Sequence, residues 1–262
     1  MSYFGAEVVS LERTDYFVPI DTEAVSAIDK EKAKGWAKKY QPDAIISTDG
    51  DGDRPLISDE NGQWLRGDVL GVLCVNYLGA THVAAPINVN SMLEASSKRE
   101  LICTRTRIGS PYVIAAMKDL AKEPLASGYE LAAKIVGYEA NGGFMVGSDI
   151  PLNSKTLHAL PTRDAVLPIL IVLSSAHQRS LPISDLLKDL PARFTASACI
   201  KDVLTSVSDK ITNSLELDQV KQDEFLFAVY ADKAVKINAI NKTDGLRLII
   251  SNKDIIHIRP SG

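Results

Sequence analysis

Apolar and polar positions alternate along this chain in two textures. Residues 6–11 (AEVVSL) form an apolar run of strand length. Over 22–40, Val25, Ile28, Trp36 and Tyr40 fall on an approximate helical stripe, with Asp21 as N-cap, Glu23 in the first turn and Pro42 as the stop. A second strand follows at 43–48, built on Ala44, Ile45 and Ile46. Strand, helix and strand at this spacing predict a βαβ unit and a parallel sheet. Residues 55–58 and 63–65 predict a hairpin around 59–62 (DENG).

The same texture continues through helices at 67–79, 91–97, 111–121 and 163–178, and strands at 82–87, 101–105, 133–138 and 143–147. Gly79 ends the first of these helices, Pro111 opens the third, and Thr162 is the expected cap of the last. Residues 67–180 therefore read as an α/β unit. Pro182 and Pro191 bracket a short helix and a linker. Beyond them the pattern changes to strands at 193–201, 234–240, 246–251 and 255–259, with Asp244-Gly245 as a hairpin turn and a polar helical stretch between. That predicts an α+β unit with an antiparallel sheet. No short repeat or low-complexity segment interrupts the chain.

Composition narrows the function classes. The 262 residues carry a net charge of −4 and no long Lys/Arg run, so no nucleic-acid footprint is expected. No apolar run reaches the length of a membrane span, and no signal peptide is read at the N-terminus. Cys74, Cys103 and Cys199 are odd in number, far apart and set in apolar runs. They fit reduced core thiols, and a cytoplasmic location is expected.

The strongest chemical signal is Asp49-Gly50-Asp51-Gly52-Asp53-Arg54, directly after an apolar strand. Three carboxylates at alternating positions converge only if the backbone between them folds tightly, which the glycines permit. Convergent Asp oxygens suit Mg²⁺ or Ca²⁺ and suit zinc poorly. Arg54 adds a cation able to grip a phosphate. An EF-hand would use Asp49, Asp51, Asp53 and Glu60, but Arg54 stands where that loop needs Gly and the flanks read as strands. A haloacid-dehalogenase-type phosphatase also opens with Asp-x-Asp-Gly, with Asp49 as nucleophile, yet that motif ends the first core strand and here a strand and a helix precede it.

Three weaker signals follow. Glu139-Ala140-Asn141-Gly142-Gly143 offers a carboxylate and an amide to hydroxyl groups, or is a plain hairpin loop. Arg105-Thr106-Arg107-Ile108-Gly109-Ser110 places two arginines before a helix start, where they hold an anion or simply sit at the surface. Arg259-Pro260-Ser261-Gly262 has the ingredients of a phosphate cradle. The four histidines show no spacing that suggests a metal site or a triad.

In this order the motifs resemble the α-D-phosphohexomutases, the phosphomannomutase/phosphoglucomutase family, whose four domains each supply one active-site loop. The resemblance covers essentially the whole chain. It implies a partial second domain at 1–66, a third α/β domain at 67–182 and a fourth α+β domain at 183–262: two α/β units, the first incomplete, and an antiparallel-sheet terminal domain. It implies that Asp49, Asp51 and Asp53 hold Mg²⁺ and that Arg54 is catalytic. Glu139, Asn141, Gly142, Arg107 and Ser110 would contact the sugar, and Arg259, Ser261 and Gly262 the phosphate. The implied reaction moves phosphate between C1 and C6 of a hexose through a hexose 1,6-bisphosphate, which also serves as activator.

The sequence departs from the family at Tyr138, where Gly is usual, and at Asn141, where Ser is usual, so the substrate sugar stays open among mannose, glucose and glucosamine. The family's nucleophile lies in a Thr-Ala-Ser-His-Asn-Pro sequence, which does not occur here; Thr195-Ala196-Ser197 matches three letters within an expected strand. The chain alone is thus expected to be inactive and to need an N-terminal domain in cis or in trans. The alternatives are a non-catalytic fragment or split subunit that binds metal and sugar phosphate, and the dehalogenase-type phosphatase. An incomplete second domain would leave apolar sheet surface exposed, which favours a homo-oligomer.

Overall fold

The computed structural model describes residues 1–96, 101–122, 133–200 and 202–260. Its first α-helix is α1 (Ala27–Tyr40), five residues later than the stripe predicts. Ser26 is the N-cap: its Oγ accepts from Asp29 N–H at 3.1 Å and donates to Asp29 Oδ2 at 2.6 Å. That reciprocal pair outcompetes Asp21, whose Oδ1 accepts from Glu23 and Ala24 N–H in a preceding turn. Ala33 and Ala37 form the buried face, and Ile28 is 70% exposed.

The expected strand at 6–11 is not a strand. Val8 and Val9 are exposed, and no described strand pairs with the run. The expected βαβ unit is therefore absent among the described residues. Instead β1 (Ile46–Thr48) pairs antiparallel with β2 (Pro55–Ile57), in the register Ile46↔Ile57 to Thr48↔Pro55. The 59–62 hairpin forms as predicted, with a Ser58↔Trp64 bridge.

A four-stranded sheet carries the next part of the chain. Helix α2 (Gly67–Leu78) leads to β3 (His82–Pro86), α3 (Met92–Ser96), β4 (Ile102–Thr106), α4 (Ser110–Leu120), β5 (Ile135–Tyr138) and β6 (Phe144–Val146). The strand order is β4-β3-β5-β6, with β3, β4 and β5 parallel and β6 antiparallel to β5. α2 packs on one face and α4 on the other. The continuous burial of β3, β5 and β6 is what a sheet covered on both faces requires.

A small hairpin, β7 (Ile150–Leu152) with β8 (Lys155–Leu157), follows and has no counterpart in the apolar pattern. α5 (Val166–Arg179) begins three residues after the predicted start. Asp164, not Thr162, caps it by accepting from Val166 and Leu167 N–H. α5 and the short α6 (Ile183–Leu186) join Ile57 and Leu65 of the first hairpins in one apolar core with α2. The core therefore fixes the 49–54 loop relative to the sheet.

Residues 193–200 are not the predicted strand. They run over the surface, held by Asn90 Nδ2 on Thr195 Oγ1 and Arg66 Nη2 on Ser197 Oγ, both at 3.0 Å. The terminal unit pairs α7 (Thr205–Leu217) and α8 (Gln219–Tyr230) with the antiparallel sheet β9 (Ile237–Asn241), β10 (Leu246–Ile250) and β11 (Ile255–Ile258), in the order β11-β10-β9. Of the thiols, Cys74 is buried in the core and Cys103 is half-buried, but Cys199 is exposed, so it is not a core thiol. No single described helix is long and apolar enough to cross a membrane.

Candidate functional site

The 49–54 loop is the connection of the β1–β2 hairpin, which is why its carboxylates converge. Gly52 adopts φ +77°, its N–H donates to Asp49 O at 3.2 Å, and Arg54 N–H donates to Asp49 Oδ1 at 3.1 Å. One oxygen from each of Asp49, Asp51 and Asp53 lies within 4.8 Å of the others. Asp49 is nearly buried, and burial followed by the Asp51 and Asp53 charges lifts its pKa above the ordinary carboxylate value, against the Arg54 N–H.

Arg54 Nε lies 3.4 Å from Asp49 Oδ2 and 3.5 Å from Asp53 Oδ1, within ion-pair range without forming a hydrogen bond. Asp53 Oδ1 is buried and has no hydrogen-bond partner among the described residues. An all-oxygen donor set with a buried, unsatisfied carboxylate oxygen fits Mg²⁺ or Ca²⁺. The flanking antiparallel strands do not fit the two competing readings. An EF-hand needs helices, and the dehalogenase motif needs the end of a parallel core strand.

The second loop, 139–143, turns between β5 and β6 at the carboxyl end of the parallel strands, where ligands bind in open α/β sheets. Gly142 has φ +93° and donates to Glu139 O. α2 approaches so closely that a Cβ on Gly67 would lie 2.1 Å from Gly142 N. Thr22 Oγ1 donates to Asn141 O at 2.6 Å, and Asn141 Oδ1 accepts from Gly143 N–H, so this amide oxygen braces its own loop. Tyr138 points the other way. It is fully buried in the sheet core, its ring over Gly71, and burial pushes its hydroxyl pKa upward. The departure at this position is a packing feature of the core.

The two loops meet through a residue that the motifs miss. Arg163 donates from Nε to Glu139 Oε2 at 2.7 Å and from Nη1 to Asp53 Oδ2 at 3.0 Å. It stands 24 positions from Glu139 and 110 from Asp53, so no local spacing signals it.

A third group forms where β4 ends. Arg107 lies over the Tyr112 ring at 5.0 Å, and Ser110 opens α4 after Gly109. Arg105 is not available to an anion. It is occupied by the carbonyls of Pro86, Val89 and Asn90 and by Glu94. Asp244, expected only as a turn residue, joins the terminal sheet to this loop. Its Oδ2 accepts from Ile108 N–H at 2.8 Å and its Oδ1 from Arg259 Nε at 2.9 Å. Ser261 and Gly262 lie outside the described residues.

Two groups thus emerge: the acid cluster with Arg54, Glu139 and Arg163, and Arg107 and Ser110 beside Asp244 and Arg259. Fold and loops together define an α/β protein with an acid-rich loop suited to a hard cation beside a glycine-rich loop at the carboxyl end of parallel strands. A Thermus thermophilus protein, solved as a proposed phosphomannomutase, superposes on 88% of this chain and 43% of its own, with a TM-score of 0.60 at 15% identity, a likeness of fold. Residues 66–194 match the family model "Phosphoglucomutase/phosphomannomutase, alpha/beta/alpha domain III". It is 50% identical over 258 residues to the phosphomannomutase of Salmonella muenchen, covering 98% of this chain and 51% of the relative. It is 41% identical over 258 residues to that of Sinorhizobium fredii (strain NBRC 101917 / NGR234), covering 98% and 52%. The chain spans about half the length of these curated relatives.

Proposed function

We propose that these residues form the cation-binding and sugar-phosphate-binding part of a phosphohexomutase, with mannose phosphate as the first substrate to test. The observation that carries the reading is the meeting of the 49–54 and 139–143 loops on one guanidinium, which sets an acid cluster suited to a hard cation beside a carboxylate suited to a sugar. The relatives named phosphomannomutase support the choice of hexose.

Asp49, Asp51 and Asp53 would hold the cation, which when bound neutralises charge on the transferring phosphoryl group. Arg54 stabilises the same charge from the side of Asp49 and Asp53. Glu139 accepts hydrogen bonds from sugar hydroxyls, and Asn141 and Gly142 hold the loop in shape around it. Arg107 and Ser110 contact the ligand, while Arg259 with Ser261 and Gly262 grips the phosphate that does not react. A serine from a segment outside these residues donates the phosphoryl group. Its P–O bond breaks as a P–O bond forms to the free hydroxyl at C1 or C6. The bisphosphate then turns over in the site and returns its other phosphoryl group to the serine. Two sugar orientations must fit one set of side chains, which a single acceptor such as Glu139 serves.

On this reading the 262 residues bind substrate and do not turn it over by themselves. The domain limits that go with it are 1–66, 67–182 and 183–262. Calorimetric titration with mannose 1-phosphate, with and without Mg²⁺, tests it. Saturable binding, lost in Glu139→Gln and weakened in Arg259→Ala, is expected. Phosphate release by the chain alone, abolished in Asp49→Asn, would instead establish the phosphatase.

A further inference from the structure

Arg163 belongs to none of the loops assigned a ligand above, yet its guanidinium joins two of them. Its side chain is 19% exposed and lies between Asp53 Oδ2 and Glu139 Oε2. Its stem crosses the glycine-rich loop at Gly143, where a Cβ would stand 3.1 Å from Cγ and Cδ and 3.2 Å from Nε. The neighbouring residue anchors it: Asp164 N–H donates to Phe144 O on β6 at 3.0 Å, and the Asp164 carboxylate caps α5. The guanidinium therefore starts from a corner fixed by a strand and a helix. Burial lowers the arginine's hold on its proton, and Glu139 followed by Asp53 outweighs that, so the group stays charged.

Each carboxylate gives this guanidinium one oxygen. Asp53 keeps Oδ1 free of hydrogen bonds, so fixing Oδ2 fixes where Oδ1 points. Fixing Glu139 Oε2 sets the plane of the carboxylate that meets the sugar. Glu139 itself is only 3% exposed on its side chain, so it has little freedom to reorient.

We propose that Arg163 is a positioning residue that couples the cation loop to the sugar loop, so that filling one tightens the other. The inference rests on the function proposed above. It makes a signed prediction, because charge and position pull in opposite directions. If Arg163 acted only as a nearby positive charge, removing it would tighten a divalent cation at the acid cluster. If it positions Asp53, removing it loosens the cation. Lysine keeps the charge but offers a single point instead of a planar fork, so it does not replace the bridge.

The test uses the full chain, titrated calorimetrically with MgCl₂, with mannose 1-phosphate, and with each in the presence of the other. In the parent protein each ligand is expected to raise the affinity of the other about fivefold or more, by the same factor in both directions. In Arg163→Met both affinities fall about tenfold and the mutual factor falls to about one. Arg163→Lys leaves the factor near one. Gly143→Ala keeps every charge but displaces the Arg163 stem, and is expected to reduce the factor as well. Melting temperatures establish which variants fold; if Arg163→Met does not, Arg163→Lys and Gly143→Ala decide the matter. Parent protein that binds neither ligand overturns the functional reading and the coupling with it. Parent protein that binds both without mutual effect overturns the coupling alone. Tighter Mg²⁺ in Arg163→Met, or a mutual factor preserved in Arg163→Lys and Gly143→Ala, overturns the role of Arg163.

Discussion

The Tyr138 ring fills the space beside Gly71 on α2: a Cβ on that glycine would lie 2.1 Å from Tyr138 Cδ2. The glycine's place in the middle of an otherwise apolar helix follows from this contact. Gly71→Ala gains helix propensity but forces the ring out of a packed core, a net loss of about 1–3 kcal/mol. Thermal unfolding should show a lowered melting temperature, and Tyr138→Leu in the same chain should recover part of it. Tyr138→Phe is expected to be neutral or stabilising, since the buried hydroxyl has no hydrogen-bond partner among the described residues.

Glu23 sets a pH dependence of stability. Burial is the largest influence on it and lifts its pKa above the ordinary 4.5. Arg66 pulls it down, while Asp21 and Asp68 push it up. A carboxyl with a raised folded-state pKa binds more protons folded than unfolded. Its contribution to stability is therefore complete below 4.5 and is lost as pH rises through the folded value. Glu23→Gln should raise the melting temperature more at pH 7.5 than at pH 4. An equal shift at both values would contradict this account of the group.

Ser197 matches three letters of a nucleophile sequence, but in the structure it is exposed and accepts a hydrogen bond from Arg66 Nη2 at 3.0 Å. Ser197→Ala should leave hexose-phosphate binding, and any activity restored by a complementary segment, unchanged within twofold. A loss of about tenfold or more would return it to candidacy as a catalytic residue.

Asp244 ties Ile108 N–H to Arg259, so it is expected to hold the proposed phosphate grip against the loop of Arg107. Asp244→Ala removes both bonds. Titration should show mannose 1-phosphate weakened by about 1.5–3 kcal/mol, with Mg²⁺ affinity unchanged. A matching loss of Mg²⁺ affinity would show that the two groups of residues are not separate.

The parts of the fold legible in the sequence are those whose local pattern and burial agree. The helices read at 67–79, with its glycine stop, and at 111–121, with its proline start, and the continuous apolar strand at 82–87 fold as read to within a residue or so at their ends. The run at 6–11 is apolar too, but a strand needs a partner, and the described residues give it none. Of the run expected at 193–201, the described residues 193–200 form no strand for the same reason, Thr195 and Ser197 being held by Asn90 and Arg66 instead of by a ladder. The β7–β8 hairpin is not legible in the sequence because Pro151, Asn153 and Ser154 break its short apolar pattern. The acid loop was legible because its carboxylates and glycines are adjacent in the chain. Arg163 was not, because what defines it is two contacts across 24 and 110 positions, and Asp164 beside it reads only as part of a helix start.

In the proposed function the 49–54 loop holds the cation for phosphoryl transfer, and the donor serine comes from elsewhere. The most direct measurement is a coupled mutase assay with mannose 1-phosphate, Mg²⁺ and a hexose 1,6-bisphosphate. The chain is run alone and mixed with the separately made N-terminal portion of the Salmonella muenchen relative. The account predicts no turnover alone and turnover on mixing, abolished by a chelator and in Asp49→Asn, Asp51→Asn or Asp53→Asn. Turnover by the chain alone, or turnover on mixing that survives all three substitutions together, would contradict it.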